Sequence, residues 1–240
     1  MYIQLTTRCN MTCKHCCMNS KRKGNDMSWE TFLKSLYLAS ETTAMITLGG
    51  GEPTIWPFFG QAIDYLKDNL IYGTLRGIEQ CLVITNGTRY RNTMKAVRVM
   101  ERFEEIYLGE PEEYKFQIVM SDPYDGFHDQ GKVNWTLYDY FNNRDKGRKE
   151  GIRKINSVIK AGRGKSLAEY SVLDRGLNFR DDCPCPTLFI KPDGDIYQCG
   201  CEDSPKIGSV FDDHEIFEEV EWNDCHKEIE KRRRDETEKR

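Results

Sequence analysis

Residues 44–70 read AMITLGGGEPTIWPFFGQAIDYLKDNL and contain the pattern that decides the fold. Residues 44–48 form a short apolar run that ends in a glycine turn. Helical periodicity follows over residues 57–70. The stretch therefore predicts a buried strand, a turn at its carboxyl end and a helix.

The same unit recurs along the first two thirds of the chain. Short apolar runs predict strands at residues 1–7, 80–85, 115–120 and, less regularly, 155–159. Amphipathic stretches predict helices at residues 28–40, 92–103 and 134–141, the first of them with Ser28 as N-cap. Strands that alternate with helices at this spacing imply a parallel sheet, whose chemistry lies at the carboxyl ends of the strands. Residues 144–154 are strongly charged and are assigned to a solvated loop or a helix start.

The last quarter of the chain has a different character. Pro192, Asp193 and Gly194 separate two short runs, residues 187–191 and 195–198, and an Asp-Gly pair in that position predicts a β-hairpin. Residues 225–240 predict a charged helix with a frayed, solvated end.

Composition limits the class of protein. The chain has 240 residues and a formal net charge of -4, which fits one domain or one domain with a small appendage. The near balance of 35 basic and 39 acidic residues argues against a dedicated nucleic-acid binder, whose domain is usually basic. No apolar run approaches the ~20 residues that cross a bilayer, and no secretory leader precedes the first cysteines. We therefore expect a cytoplasmic protein without a membrane segment.

The 10 cysteines form two groups, with Cys81 between them. Without a secretory leader, closely spaced thiols favour metal ligands over disulfides. The first group contains Cys9, Cys13 and Cys16 in a C-x3-C-x2-C pattern directly after the first strand. Three thiolates on one loop can ligate three irons of a [4Fe-4S] cluster and leave the fourth iron open. A zinc site is the alternative for this group, and Cys17 has no place in the spacing.

This pattern resembles the signature of the radical S-adenosylmethionine (SAM) enzymes. Gly50, Gly51, Glu52 and Pro53 are similar to the GGEP motif, which in that family aligns the amino group of SAM as it chelates the open iron. Backbone carbonyls and a carboxylate are the acceptors that an ammonium needs. An ordinary turn is the alternative interpretation of these four residues.

Further residues of the SAM site are implied by the same resemblance. Asn86, in a Thr-Asn-Gly segment, follows the third strand, and Ser121 after the fourth strand would contact the ribose or carboxylate of SAM. His15 stands where the family usually has an aromatic residue that packs against adenine. His128 is either an ordinary loop histidine or an acid/base group near the substrate.

The C-terminal cysteines resemble the twitch, or shortened SPASM, extension of this family. Gly194 and Cys199 give its G-x4-C pattern. The resemblance implies an auxiliary [4Fe-4S] cluster on four of five thiols, namely Cys183, Cys185, Cys199, Cys201 and Cys225. A structural zinc on the hairpin is the alternative.

Together these features imply an α/β fold, a partial (β/α)6 TIM-like barrel over residues 1–180 with a C-terminal hairpin and helix module over residues 181–240. The implied activity is that of a radical SAM oxidoreductase, which cleaves SAM reductively to a 5′-deoxyadenosyl radical and abstracts hydrogen from a small-molecule or peptide substrate. The auxiliary cluster would take up an electron. A flavodoxin or ferredoxin would supply the first electron, and the start of the chain at strand one favours a small molecule over a long precursor peptide.

Two alternatives are open, one from another class of protein and one that differs only in the substrate. The first is a non-catalytic iron-sulfur or zinc module with a redox or binding role, which would have no use for the GGEP motif. The second is a radical SAM enzyme acting on a nucleotide or nucleic acid, since residues 144–165 carry nine basic side chains.

Overall fold

Strands and helices alternate through the first 145 residues, as the sequence pattern predicts. The computed structural model describes residues 1–71, 73–75, 77–106, 115–125, 128–145, 151–153, 157–159, 163, 178–180, 188–200 and 204–212. The elements of the first part are β1 (Tyr2–Thr6), α1 (Trp29–Thr42), β2 (Met45–Gly50), α2 (Phe59–Ile71), β3 (Gln80–Thr85), α3 (Tyr90–Ile106), β4 (Phe116–Ser121) and α4 (Trp135–Asp145). The later strands are β5 (Ile152–Arg153), β6 (Ser157–Ile159), β7 (Asn178–Arg180), β8 (Phe189–Ile190), β9 (Asp195–Tyr197) and β10 (Lys206–Ser209).

One sheet of eight strands organises the described residues, in the order β10-β9-β8-β1-β2-β3-β4-β5. Strands β1 to β5 are parallel neighbours in chain order, so their carboxyl ends meet at one edge. The α/β class and the parallel sheet of a partial barrel are thereby confirmed. Any functional residues that follow these strands are brought to the same edge.

Burial of alternating apolar side chains explains why these strands form the centre of the molecule. The residues that point into the core from β1 to β4 are fully or almost fully buried: Ile3, Leu5, Ile46, Leu48, Val83, Ile118 and Met120. The helices cover the sheet with their own apolar faces, and α1 begins at the predicted cap, where Ser28 Oγ accepts from the Thr31 N–H at 3.0 Å. Trp56, 1% exposed, donates from Nε1 to the Met27 carbonyl at 2.8 Å. This bond fixes the segment after β2 to the segment before α1.

The hairpin predicted around Asp193 is present as β8 and β9, with Gly194 at a positive φ of 90°. It extends the central sheet, because β8 pairs in parallel with β1 through Tyr2 opposite Phe189 and Ile3 opposite Ile190. The predicted helix 225–240 and four of the five C-terminal cysteines, Cys183, Cys185, Cys201 and Cys225, lie outside the described residues. The division at residue 180 stays a prediction.

One prediction on the segment after α4 was wrong. Ile152 and Arg153, assigned to a charged loop, form β5 beside β4, because Ile152 is an apolar residue that buries all but 8% of its surface there. The strand predicted at residues 155–159 is present over Ser157–Ile159 as β6, which pairs with β7 in a separate two-stranded sheet. No helix of the described parts is long and apolar enough to span a membrane.

Candidate active site

The cysteine loop begins where β1 ends and is held by a second chain segment beside it. Met27 donates its N–H to the Leu5 carbonyl at 2.9 Å, and Cys9 donates its own to the Lys21 carbonyl at 2.7 Å. Cys9 and Cys13 are buried, at 8% and 9% exposure, whereas Cys16 is half-buried. The three predicted cluster ligands therefore lie on one loop with a supported backbone.

Arg163, from a distant part of the chain, donates hydrogen bonds to the backbone of this loop and of Ser20. Its Nε donates to the Cys13 carbonyl at 2.9 Å, and its Nη1 donates to the Ser20 carbonyl at 2.7 Å. Its backbone N–H donates to the Cys16 carbonyl at 3.0 Å. One residue thus fixes the backbone at two of the three predicted ligands.

The glycine turn after β2 packs directly on the start of the cysteine loop. Gly51 donates its N–H to the Thr6 carbonyl at 2.7 Å, and Glu52 donates its own to the Arg8 carbonyl at 2.8 Å. A Cβ on Gly51 would stand only 1.9 Å from the Arg8 oxygen, so no larger residue fits there. Gly50 adopts a φ of 128°, which L-residues avoid. The Gly50–Pro53 segment and the cysteines therefore form one contiguous site.

The Glu52 side chain is 1% exposed and its carboxylate accepts four hydrogen bonds from the chain. The donors are the Thr54 N–H at 3.1 Å, the Thr54 hydroxyl, the Thr85 hydroxyl at 2.6 Å and the Asn86 N–H at 2.7 Å. Burial raises the pKa of the Glu52 carboxyl, and these hydrogen bonds partly oppose the rise. The carboxylate joins the ends of β2 and β3, a role that the sequence analysis missed.

Asn86 connects the third strand end to the cysteine loop. Its side-chain Nδ2 donates to Asn10 Oδ1 at 3.2 Å and contacts Cys9 Sγ at 3.8 Å. Its Oδ1 accepts from the Thr88 N–H at 3.0 Å, and Asn10 in turn donates to the Thr88 hydroxyl at 2.7 Å. Asn86 therefore lies beside Cys9, and its predicted part in SAM binding remains a prediction.

Two histidines singled out separately in the sequence lie together. The rings of His15 and His128 have centroids 4.6 Å apart and planes inclined by 60°. Ser121 is the last residue of β4 and is half-buried, with its backbone opposite Arg153 of β5. The predicted contacts of His15 and Ser121 with SAM remain predictions.

Cys199 is the one residue of the five C-terminal cysteines that lies among the described residues. It follows β9, is 4% exposed and donates its N–H to Ser204 Oγ at 2.9 Å. A Cβ built on the next residue, Gly200, would stand 2.9 Å from the Phe189 ring and 3.7 Å from Met18 Cε. The end of the hairpin therefore adjoins the chain just after Cys16 and Cys17.

The donor set fits an iron-sulfur cluster in its chemistry, because three sulfur atoms stand on one supported loop. Burial raises the pKa of the Cys9 thiol to about 11; the Met11 N–H, which donates to its sulfur at 3.4 Å, opposes this rise, and the Glu52 carboxylate adds to it. Within the described ranges, no three His, Cys, Asp or Glu side chains stand together at metal-ligand spacing.

Arg163 is the functional residue that sequence reasoning did not single out. It is one of the nine basic side chains of residues 144–165 that suggest nucleic-acid binding, yet its guanidinium donates to carbonyls of the cysteine loop and Ser20. Arg144, another of the nine, is paired with Glu104 and lies 3.8 Å from Glu101. No local sequence signal marks Arg163, because its partners lie more than 140 residues away.

Comparisons with known proteins agree with this geometry. The family model described as the Radical SAM superfamily matches residues 3–169. The structure of BtrN in complex with AdoMet and 2-DOIA superposes with a TM-score of 0.59 at 12% identity, covering 96% of this chain and 84% of that one. The structure of native anSMEcpe with bound AdoMet and Cp18Cys peptide superposes with a TM-score of 0.57 at 13% identity, covering 95% of this chain and 81% of that one. No curated protein matches the sequence.

The family model covers more than half of the chain. The parallel sheet is consistent with that match, and so is the contact between the cysteine loop, the glycine turn and the turn at Asn86. The chain belongs to the radical SAM superfamily, whose enzymes carry out radical chemistry with S-adenosylmethionine and a [4Fe-4S] cluster.

Proposed function

We propose that this protein is a cytoplasmic radical SAM oxidoreductase that removes a hydrogen atom from a small-molecule or peptide substrate. The observation that carries the proposal is the pair of backbone hydrogen bonds from Gly51 and Glu52 to Thr6 and Arg8. They join the glycine turn to the cysteine loop, and a cluster that must bind the amino group of SAM needs these two elements side by side.

Each motif would have a defined part. Cys9, Cys13 and Cys16 would hold a [4Fe-4S] cluster, which when bound supplies one electron that splits SAM into methionine and a 5′-deoxyadenosyl radical. The carbonyls of the Gly50–Pro53 turn would accept from the ammonium of SAM, with Glu52 holding that turn in place. Asn86 would fix the cysteine loop through Asn10, and His15 would pack on the adenine. The chain thus binds, orients and shields the reacting groups.

The C-terminal cysteines would hold the auxiliary [4Fe-4S] cluster, which makes the overall reaction a two-electron oxidation. Cys199 supports this part of the proposal, because it is buried and its neighbour Gly200 approaches Met18 beside the cysteine loop. Cys183, Cys185, Cys201 and Cys225 supply the candidates for the other ligands. The two similar structures differ in what they hold besides AdoMet, 2-DOIA in one and a peptide in the other, so both substrate classes stay in the proposal.

The decisive experiment measures 5′-deoxyadenosine after anaerobic reconstitution with iron and sulfide and addition of SAM and dithionite. We expect SAM cleavage by the wild-type protein and none by the variant C9A/C13A/C16A. The matched control is Cys17→Ala, which removes a neighbouring thiol outside the motif and should retain both cleavage and iron.

A different result would support another class of protein. If the wild-type chain retains zinc in preference to iron and does not cleave SAM, the chain is a metal-binding module without radical chemistry. If the triple variant cleaves SAM as fast as the wild type, the cluster does not reside on these cysteines.

A further inference from the structure

A closed ring of side-chain hydrogen bonds lies against the first predicted cluster ligand. Asn10 Nδ2 donates to Thr88 Oγ1 at 2.7 Å, and Thr88 Oγ1 donates to Asn86 Oδ1 at 2.7 Å. Asn86 Nδ2 closes the ring by donating to Asn10 Oδ1 at 3.2 Å. The same nitrogen carries a second hydrogen and stands 3.8 Å from Cys9 Sγ. The ring therefore joins the turn after β3 to the cysteine loop and brings an N–H donor to a thiol.

The orientation of the Asn86 amide follows from its partners. The backbone N–H of Thr88 can only donate, and it donates to Asn86 Oδ1 at 3.0 Å. An amide turned over would place its own NH2 group against this donor. The oxygen of the amide therefore faces Thr88, and its nitrogen faces Asn10 and Cys9.

The turn that carries Asn86 is fixed through its backbone as well. The Asn86 N–H donates to Glu52 Oε2 at 2.7 Å, and the Gly87 N–H donates to Thr85 Oγ1 at 3.1 Å. Gly87 has a φ of 71°, in the left-handed region that favours glycine. The amide is thus held next to the thiol by the main chain and by the ring.

The sulfur of Cys9 is approached by two N–H groups, the Met11 N–H at 3.4 Å and the Asn86 amide at 3.8 Å. A sulfur that ligates iron carries negative charge, which increases when the cluster gains an electron. An N–H donor stabilises the more negative form more strongly, so it raises the reduction potential. Reduction adds one electron and breaks no ligand bond.

We infer that Asn86 raises the reduction potential of the cluster held by Cys9, and that Asn10 and Thr88 are positioning residues for its amide. The inference rests on the proposed function, which places a [4Fe-4S] cluster on this thiol. It gives Asn86 a task at the sulfur, which differs from a direct contact with SAM. Groups that surround a metal ligand tune the metal in this way.

The test is a potentiometric titration of the reconstituted protein with dithionite, followed by EPR spectroscopy. The signal to follow is the one that the variant C9A/C13A/C16A lacks. Asn86→Asp keeps the shape of the side chain but places a negative oxygen beside the sulfur. We expect the ratio of reduced to oxidised cluster at a given potential to fall about tenfold or more, a shift of about 59 mV to lower potential for one electron. The matched control is Gln61→Glu, the same change of amide to acid at an exposed residue of α2, which should titrate like the wild type.

Two milder changes separate tuning from folding and from cluster loss. Asn86→Ala removes the donor without adding charge, so it should lower the potential by less than Asn86→Asp. Thr88→Val keeps the Asn86 amide but removes the hydroxyl of the ring, and it should also lower the potential. Thr88→Ser restores the hydroxyl and should restore the potential. These variants decide the inference if Asn86→Asp does not retain its cluster.

Wild-type potentials in both Asn86→Ala and Thr88→Val would overturn the inference. A wild-type potential in Asn86→Ala together with SAM binding that is about tenfold or more weaker, measured by isothermal titration, would also overturn it and assign Asn86 to SAM. The proposed function fails on a different result. A wild-type protein that holds its cluster but does not cleave SAM with dithionite would overturn the radical chemistry, while the potentials of the variants still decide the part of Asn86.

Discussion

Glu52 Oε2 accepts the backbone N–H of Asn86 at 2.7 Å, across the ends of two neighbouring strands. The other carboxylate oxygen accepts from Thr54 and from the Thr85 hydroxyl. The acid of the GGEP motif is therefore bonded to the chain, and we propose that it supports SAM binding by holding the glycine turn and the Thr85–Asn86 turn in register. Charge-assisted hydrogen bonds of this kind are about twice as strong as neutral ones.

Replacing Glu52 with alanine should lower both stability and SAM affinity. The substitution leaves four donors, three of them buried, without their acceptor, which costs roughly 3 kcal/mol or more. A loss of that size lowers the Tm of a protein of this length by about 6–12 °C. Iron content after reconstitution should be retained, because Glu52 is not a predicted ligand. Differential scanning calorimetry and isothermal titration with SAM would measure the two effects.

Thr85→Val provides the control for this interpretation. It removes one donor to Glu52 and leaves the carboxylate in place. If Glu52 positions the turns, Thr85→Val should weaken SAM binding in the same direction as Glu52→Ala, but by less. If Glu52→Ala abolishes SAM binding while Thr85→Val has no effect, the carboxylate bonds to SAM itself.

The core strands could be predicted from the sequence because local signals agree with the final packing. β3 covers Gln80–Thr85, which are the residues predicted. A short apolar run bounded by turn residues is typical of a buried strand, so its limits can be identified from the sequence. The contacts of the glycine turn with the cysteine loop also follow from local information, because parallel neighbours bring their carboxyl ends together.

The remaining features depend on contacts between distant residues. The bonds from Arg163 to the carbonyls of Cys13 and Ser20 span 150 and 143 residues, and an arginine in a glycine-rich basic stretch gives no sign of them. The addition of β8 to the edge of β1 is likewise set by pairing between residues far apart in the sequence, Tyr2 and Phe189. Such features are decided by tertiary structure and leave no periodic pattern in the sequence.

Replacing Arg163 with alanine should loosen the cysteine loop. The change removes two side-chain hydrogen bonds, to the Cys13 and Ser20 carbonyls, and costs about 1–3 kcal/mol. We expect faster loss of iron to a chelator from the variant, measured by the decay of cluster absorbance. Arg163→Lys keeps the charge but cannot bridge two carbonyls, so it should behave like the alanine variant. The control Arg102→Ala, on the exposed side of α3, should lose iron at the wild-type rate. If Arg163→Lys also retained iron like the wild type, the positive charge, and not the two hydrogen bonds, would hold the loop.

Cys81 should be chemically inert in the folded protein. It lies in β3 with 1% exposure, and burial raises its pKa far above the ordinary value. The thiolate that reacts with iodoacetamide is therefore almost absent at pH 8. Peptide mapping by mass spectrometry should find Cys81 unmodified in the native protein and fully modified in urea. Cys81→Ala should bind as much iron as the wild type; a loss of iron would make Cys81 a ligand.

Iron stoichiometry tests whether two clusters are present. Two [4Fe-4S] clusters require about eight irons per chain after anaerobic reconstitution. The variant C9A/C13A/C16A should retain about half of them, held by the C-terminal cysteines. A wild-type content near four irons, with one zinc per chain, would assign the C-terminal thiols to a structural zinc site.

The position of Cys199 leads to the last prediction, which separates radical formation from electron uptake. Cys199 is buried after the hairpin, and its neighbour Gly200 approaches Met18 beside the cysteine loop. If the auxiliary cluster only removes an electron from the product radical, the variant C183A/C199A/C225A should still cleave SAM to 5′-deoxyadenosine at close to the wild-type rate. Substrate conversion should fall by orders of magnitude, because the product radical has lost its acceptor. Loss of the metal also removes folding energy from a small module, so circular dichroism and the iron content of the first site must match the wild type before rates are compared. Under those conditions, substrate turnover at the wild-type rate would make the C-terminal site structural.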